Sequence, residues 1–414
     1  MMNWLTWLAK RRFPYEPLIT VQISRSQIIE NFKEFQKLAP NGNIAPVLKS
    51  NAYGHGSIEV ARILENESLK KAFIGSGKNQ IPFFVVDSYF EAVALRAKHI
   101  QTPILIIGYT RPETIKVAKL KHTSFTITNM ETLRAIAEKN TYESTETGMI
   151  GFRLPIYGGR NLHLIHLKID TGMRRQGILP EEIDEAIDII ANNSGTIFLE
   201  GICSHLSDAD NTDESFTDGQ IILWNKIVNK FRTKFTHLKY WHLSNTDGHR
   251  FKGEIDANVS RLGIGLYGLI DGNSFSPKLN IKPALEMKTI ITGIKKLKIG
   301  ESIGYNNTFT ASTEMKVATV PVGYYEGIDR RLSNSGTMLV GAKNIPCEIV
   351  GRVSMNISSI NVSNVSDAVI GTAVTVISND PIQPNSIAKI AEKCDSNTYE
   401  IAVNIPVELK RVVV

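Results

Sequence analysis

Hydrophobic runs alternate with segments of helical periodicity from residue 18 to about residue 272. In the helical segments, such as 25–39, 181–193 and 216–235, apolar side chains recur every three or four positions. The short runs between them have the length and the β-branched residues of buried strands. Runs of this kind occur at residues 44–50, 82–88, 103–108, 124–128, 164–170, 199–205, 239–245 and 258–264. Eight strands alternating with helices favour a closed (β/α)8 barrel of the TIM type, and an open doubly wound sheet is the alternative.

The pattern changes near residue 283, where strand-like segments follow one another with little helix between them. A separate, mainly β domain of ordinary size is predicted there. We therefore predict an N-terminal extension at 1–17, a barrel at 18–282 and a C-terminal β domain at 283–414. The extension carries Trp4 and Trp7, which could touch a membrane surface, but packing against the protein itself is the favoured interpretation.

The composition is that of a globular protein without a membrane-spanning segment. Of the 414 residues 42% are hydrophobic and 21% are charged, and no apolar run reaches the ~18 residues that a span requires. The net charge of +6 is scattered along the chain, which argues against nucleic-acid binding. The three cysteines are too few for a disulfide scaffold and too widely spaced for a zinc site. We therefore predict no metal and a reducing, cytoplasmic location.

Polar side chains stand at the ends of the predicted barrel strands. In chain order these residues include Lys49, Lys168, His205, His242 and Arg261. The carboxyl ends of all strands of an α/β barrel meet at one face, where active sites form. A lysine amine in that poorly solvated position becomes a nucleophile or a base, and commonly forms a Schiff base with an aldehyde cofactor. Glycines follow the last strand, at Gly263 and Gly265, and would let backbone N–H groups approach a phosphate.

Several motifs, in this order, resemble those of the bacterial alanine racemases, which are pyridoxal-phosphate enzymes of the barrel-type fold III family. They are KSNAYGHG at 49–56, HLKIDTGMRRQG at 166–177, SRLGIGLYG at 260–268, GESIGYNNTF at 300–309, VGYYEG at 322–327 and VGRVSM at 350–355. The resemblance extends from about residue 18 to 402. It implies pyridoxal 5'-phosphate as cofactor and interconversion of L-alanine and D-alanine, which supplies D-alanine for peptidoglycan. It also implies a homodimer whose active sites are shared between subunits.

The resemblance assigns expected roles to individual residues. Lys49 is expected to carry the cofactor as a Schiff base and to act as one catalytic base. Tyr305, in the β domain, is expected to be the second base, contributed by the partner subunit. Further cofactor contacts are expected from Tyr53, His205, Thr246, Arg261, Gly263, Ile264 and Tyr399. Substrate contacts are expected from Arg175, Tyr324 and Met355. Lys168 corresponds to a lysine that is often carbamylated in this family.

The substrate is less closely defined by the sequence than the cofactor. Tyr324 and Tyr399 would crowd the pocket and favour a small side chain. However, Asn356 stands where the family usually has an aspartate after Met355, and the segment 141–163 is long. A broad-spectrum amino-acid racemase therefore stays an alternative.

Two other classes of pyridoxal-phosphate protein are alternatives to the racemase. A decarboxylase of the same fold family would be expected to show a Gly-Gly-Gly phosphate motif, which this chain lacks. A non-catalytic carrier of the cofactor would lack the β domain and Tyr305. Both features therefore favour the racemase.

Overall fold

The computed structural model describes residues 16–73, 81–138, 162–270 and 279–414. Apart from residues 16 and 17, the predicted N-terminal extension 1–17 lies outside the described residues. Most of the long segment 141–163 also lies outside them.

Eight parallel strands follow one another around a barrel. They are β2 (Ile44–Pro46), β3 (Phe84–Val86), β4 (Ile104–Ile106), β5 (Thr123–Ile127), β6 (His163–Lys168), β7 (Ile197–Cys203), β8 (Tyr240–His242) and β9 (Ser260–Leu262). Strands β3 to β8 pair side by side in chain order, and β2 pairs with β9. Val47 bridges to Val85 of β3, and the N–H of Arg261 in β9 donates to the Ser244 carbonyl beyond β8 at 3.1 Å. These contacts close the circle, so the predicted (β/α)8 barrel is confirmed.

α-Helices lie between the strands of the barrel. They span Arg25–Gln36, Ser57–Phe73, Tyr89–Ala97, Pro112–Val117, Met130–Ala137, Ile183–Asn192 and Ser215–Lys234. Several begin at a side chain that caps the first turn, as Ser24, Ser88 and Asn129 do by accepting a backbone N–H. The helical spacing of apolar residues buries one face of each helix. In Ile183–Asn192 the buried residues are Ile183, Ala186, Ile187 and Ile190.

The C-terminal part of the chain is built mainly from strands. They are β10 (Leu285–Ile290), β11 (Gly293–Leu297), β12 (Ser302–Ile303), β13 (Phe309–Thr310), β14 (Met315–Val320), β15 (Thr337–Val340), β16 (Ile345–Glu348), β17 (Ser358–Asn361), β18 (Ala373–Ile377) and β19 (Lys410–Val413). Two short helices, Ile387–Lys393 and Thr398–Val403, precede β19. Short 3₁₀ turns occur throughout the chain, at Pro40–Gly42, Pro180–Glu182, Asp247–Phe251, Ile264–Tyr267, Tyr305–Asn307, Tyr324–Glu326 and Arg330–Leu332.

The first strand of the described chain, β1 (Thr20–Ile23), lies in the sheet of the C-terminal part. That sheet has six strands in the order β16-β15-β18-β10-β1-β19. β1 pairs antiparallel with β10 and parallel with β19. The residues at the two ends of the described chain are therefore joined by backbone hydrogen bonds.

The proposed division of the chain at residue 282 stays a prediction. Among the helices that the structure describes, none combines the length and the hydrophobicity needed to cross a bilayer.

Candidate active site

A cavity of 720 Å³ opens at the carboxyl ends of the barrel strands. Many of the residues that the sequence singles out line this cavity. They are Lys49, Tyr53, Lys168, Arg175, His205, Thr246, Arg261, Gly263, Ile264 and Tyr399. Most of them follow barrel strands that are far apart in the chain, so closure of the barrel brings these together, and Tyr399 is added by the helix Thr398–Val403. Among the described residues, no cluster of three or more His, Cys, Asp or Glu side chains is placed to hold a metal ion.

Lys49 begins a left-handed helical turn directly after β2. Residues 50–53 all have φ between 51 and 54°, a conformation that costs non-glycine residues roughly 1–2 kcal/mol each. Gly54 ends the turn at φ 80°, and a Cβ there would lie 2.0 Å from the Ala402 carbonyl oxygen. Backbone strain of this kind persists only where surrounding contacts enforce it. Here it reverses the chain so tightly that Lys49 and Tyr53 both line the cavity.

Side chains from other elements stabilise this left-handed turn. The Ser50 N–H donates to Glu91 Oε1 at 2.7 Å, and Glu91 also caps the helix Tyr89–Ala97. The ring of His55 hydrogen-bonds through Nδ1 to the Tyr53 carbonyl at 2.8 Å. Burial lowers the pKa of His55 to about 4, so the ring is neutral near pH 7 and donates from Nδ1. The sequence indicates no role for Glu91 or His55, because their contacts depend on this turn.

Tyr53, Thr246 and Gly263 converge on one side of the cavity. A Cβ at Gly263 would lie 3.0 Å from Tyr53 Oη and 3.8 Å from Thr246 Oγ1, so the glycine leaves space that a side chain would fill. Burial raises the pKa of Tyr53 to about 12, which keeps its hydroxyl protonated as a donor. The turn Ile264–Tyr267 follows directly and is held by the Gly265 N–H donating to Thr246 Oγ1 at 3.3 Å. A cradle of hydroxyl donors beside an unhindered backbone suits a phosphate group.

The guanidinium of Arg261 is buried and held by hydrogen bonds on both terminal nitrogens. Nη2 donates to the carbonyls of Ser204 at 2.6 Å and Leu243 at 2.8 Å, and Nη1 to the His242 carbonyl at 2.9 Å. Nη2 also lies 3.2 Å from Nδ1 of His205. Burial, and then the charge of Arg261, hold the pKa of His205 well below its usual range. His205 is therefore a neutral ring whose Nδ1 accepts a hydrogen bond from Arg261.

A pair of histidines, His242 and His166, lies behind Arg261 inside the barrel. His242 contacts Arg261 through Nδ1, and its Nε2 lies 2.9 Å from Nδ1 of His166. Burial lowers the pKa of both histidines, so both rings are neutral. From the sequence, His242 is predicted only to be a polar residue on its strand, and no role is indicated for it. The one sequence signal that could have pointed to these histidines is the two-residue period of β6, which puts His166 on the same strand face as Lys168.

Positive charge dominates the cavity. Lys49, Lys168, Arg175 and Arg261 line it, and among the described lining residues Asp87 carries the only carboxylate. Burial lowers the pKa of Lys168, and the charges of Arg261 and Arg175 act in the same direction. The Lys168 amine donates to Gln176 Oε1 at 3.4 Å rather than to an acid. Such a cavity favours an anionic ligand, such as a phosphate or the carboxylate of an amino acid.

Three predicted site residues do not line this cavity. Tyr305, Tyr324 and Met355 lie in the C-terminal part and are 68%, 44% and 55% exposed. Asn356, next to Met355, donates from its amide to Glu326 Oε1 at 2.7 Å. Within one chain, the cavity therefore contains the residues predicted to bind the cofactor but lacks the predicted second base and two of the residues predicted to contact the substrate.

Comparisons with known proteins identify relatives of both parts of the chain. Residues 23–271 match the family model "Alanine racemase, N-terminal domain", and residues 284–413 match "Alanine racemase, C-terminal domain". The alanine racemase of Lactobacillus acidophilus is 31% identical over 407 residues, which cover 96% of this chain and 98% of that protein.

Solved structures show the same architecture. Alanine racemase of Clostridium difficile matches with a TM-score of 0.82 and 25% identity, over 97% of this chain and 96% of that chain. A histidine racemase from Leuconostoc mesenteroides matches with a TM-score of 0.79 and 26% identity, over 96% and 98%. The resemblance stated from the motifs is therefore confirmed.

Proposed function

Because the chain belongs to the alanine racemase family, we propose that it interconverts L-alanine and D-alanine with pyridoxal phosphate and two bases. The bases are Lys49 and Tyr305 of the partner subunit. The observation that carries the proposal is the position of Lys49, at a strand end in a cationic cavity beside a phosphate-sized cradle. A homodimer in the cytoplasm that supplies D-alanine for peptidoglycan is the corresponding biological role.

The residues around the cavity fit the cofactor. Its phosphate would be held by Tyr53, Thr246, Gly263, Ile264 and Tyr399. The fit rests on the space at Gly263, which the hydroxyls of Tyr53 and Thr246 approach. When bound, pyridoxal phosphate delocalises the electron pair that is left when the Cα proton of the substrate is removed.

Arg261 would face the pyridine nitrogen of the cofactor. An arginine remains protonated at every accessible pH and cannot transfer its proton to that nitrogen. Four hydrogen bonds to backbone carbonyls and to His205 support this assignment, because they prevent the guanidinium from swinging away.

Racemisation requires a proton to leave one face of Cα and another to arrive at the opposite face. The amine of Lys49 serves one face and the phenol of Tyr305 of the partner subunit serves the other. A phenol has an unperturbed pKa of ~10 and needs nearby positive charge to act as a base. His205, neutral and hydrogen-bonded to Arg261, would link that phenol to the arginine charge.

Arg175 and Lys168 would bind the substrate end of the site. Arg175 lines the cavity and would hold the substrate carboxylate in a charge-assisted pair. The lowered pKa of Lys168 supports carbamylation, since only a neutral amine adds CO₂. A carbamate would turn this lysine into an anion that supports Arg175. Tyr324 and Met355 of the partner subunit would narrow the pocket around the side chain of the substrate.

A racemase with a different or broader specificity is the second candidate. It is favoured by the likeness to a solved structure described as a histidine racemase. A decarboxylase of the same fold remains the third, less favoured candidate.

One experiment separates these three candidates. Purified protein loaded with pyridoxal phosphate is incubated with L-alanine, L-histidine, L-lysine and L-serine separately, and each enantiomer is measured by chiral chromatography. We expect alanine to racemise fastest, and Lys49→Ala to show no conversion. Faster conversion of histidine or lysine would assign the second candidate, and release of CO₂ without racemisation would assign the decarboxylase.

A further inference from the structure

Two loops of the C-terminal part, residues 321–328 and 354–357, lie side by side on the surface. They extend strands β14 and β17, which pair antiparallel up to Val320 and Ser358. The Tyr324 N–H donates to the Ser354 carbonyl at 3.0 Å. The two exposed residues predicted to contact substrate, one in each loop, are thus carried by adjoining backbone segments.

A buried carboxylate connects the two loops. Glu326 is only 8% exposed, and its Oε2 accepts the Gly323 N–H of its own loop at 2.8 Å. Its Oε1 accepts the side-chain amide of Asn356, in the other loop, at 2.7 Å. Gly323 packs so closely on the second loop that a Cβ would lie 2.2 Å from the Ser354 carbonyl oxygen. Without the Asn356 donor, one oxygen of a buried carboxylate would lose its partner across the loops.

We propose that Asn356 is a positioning residue whose amide, by donating to Glu326, fixes the loops that carry Tyr324 and Met355. The assignment of those two side chains to the substrate rests on the proposed function, whereas the bond between the loops does not. An amide donates at every pH, but an aspartate at this place would donate only while protonated. Two carboxylates at this distance cannot both be ionised without strong repulsion. An asparagine therefore keeps the loops joined over a wide pH range.

In the part of the chain that the structure describes, neighbouring charged side chains do not pair with Glu326. Asp329, which follows the first loop directly, is paired with Arg331 at 2.7 Å. Among the described residues, the structure records no ion pair to Glu326. The neutral amide of Asn356 is thus the side-chain donor that Glu326 has across the loops.

The variant Asn356→Asp tests the bond because it changes one donor and little else in shape. The new carboxyl must hold a proton to bond Glu326, so its folded-state pKa lies above its unfolded value of ~3.9. Its stability should match that of the wild type at low pH and be lost as pH rises through the folded-state pKa. We expect the melting temperature to equal that of the wild type only below about pH 4, and to lie roughly 2–4 °C below it at about pH 8.

Two further variants make the stability test specific. Glu326→Gln combined with Asn356→Asp reverses the polarity of the bond, because the glutamine amide donates to the aspartate. This double variant should regain the pH-independent melting temperature. Asn344→Asp adds the same charge at an exposed turn and should show no such pH dependence. The proposed role of the Asn356–Glu326 bond would be overturned if Asn356→Asp and the wild type had equal pH profiles of melting temperature. It would also be overturned if the double variant did not restore the melting temperature.

The kinetic measurement tests the positioning role separately. At about pH 8, Asn356→Asp should raise KM for alanine about tenfold with a much smaller change in kcat, because substrate contacts are displaced while the bases remain. The double variant should restore KM. An unchanged KM in a variant whose melting temperature has shifted would overturn the link to substrate. If the wild type itself fails to racemise alanine, the proposed function fails. The melting curves still decide whether the Asn356–Glu326 bond holds the two loops together.

Discussion

Lys49 lines the barrel cavity of its own chain, whereas Tyr305 is 68% exposed on the C-terminal part. If the two bases meet only across the subunit interface, each of the variants Lys49→Ala and Tyr305→Phe inactivates both sites of its homodimer. A mixed dimer of the two variants is different. One of its sites has Lys49 from one chain and Tyr305 from the other, and its second site lacks both bases.

The size of the rescue follows from twofold symmetry. Random exchange of equal amounts of the two variants gives about half mixed dimers, each with one intact site of two. The mixture should therefore regain about a quarter of the wild-type activity per subunit. Loss of a general base typically lowers the rate ~10²–10⁴-fold, so each variant alone should give a background far below that level.

The assay measures D-alanine formed from L-alanine after the variants are mixed and exchanged. Differently tagged subunits let native mass spectrometry verify that mixed dimers have formed. The matched control mixes Lys49→Ala with the double variant Lys49→Ala/Tyr305→Phe, in which no combination restores a site. Absence of regained activity in verified mixed dimers would refute the reasoning, since Tyr305 would then act within its own chain or not at all.

Three other predictions concern single residues. Borohydride treatment of the cofactor-loaded protein should leave a pyridoxyl adduct on Lys49 in a peptide mass map; an adduct on another lysine would contradict its assignment. Glu91→Ala should destabilise the protein by about 1 kcal/mol in urea unfolding and speed exchange of the Ser50 amide, and Glu91→Gln, which keeps an acceptor, should do less. His55 should account for about 3 kcal/mol of the stability that the wild type loses as pH falls from 6.5 to about 4, because its pKa is lowered only in the folded state. His55→Gln should reduce the loss by this amount, unlike the exposed control His99→Gln.

The barrel was predictable because its strands are short, apolar and evenly interrupted by amphipathic helices. A strand such as the run at 103–108 is buried on both faces, so apolar residues are required at successive positions, and this is visible in the sequence. The strand ends were equally informative, since a lysine or arginine at the end of an apolar run has few structural reasons to be there. Ten of the thirteen predicted site residues line one cavity, and most of them follow barrel strands.

Other features could not be predicted, because they depend on contacts between distant parts of the chain. Residues 50–53 include no glycine, and of the four only Asn51 readily adopts this conformation, so local preferences do not indicate a left-handed turn of four residues. The turn is enforced from outside, by Glu91 and by Ala402 against Gly54. The pairing of β1 with β19 likewise leaves no local pattern. The meeting of Tyr305 with Lys49 requires a second chain and stays a prediction.

The pairing of β1 with β19 has a consequence for synthesis on the ribosome. Residues 20–23 must wait for residues 285–290 and 410–413 before their backbone hydrogen bonds can form. Strands β3 to β8, by contrast, pair with neighbours only tens of residues away, so they can assemble while translation continues. Until residues 410–413 have been synthesised, one edge of the strand at residues 20–23 is therefore open to wrong partners. Shielding of this segment by a chaperone would matter most in the interval before β19 emerges.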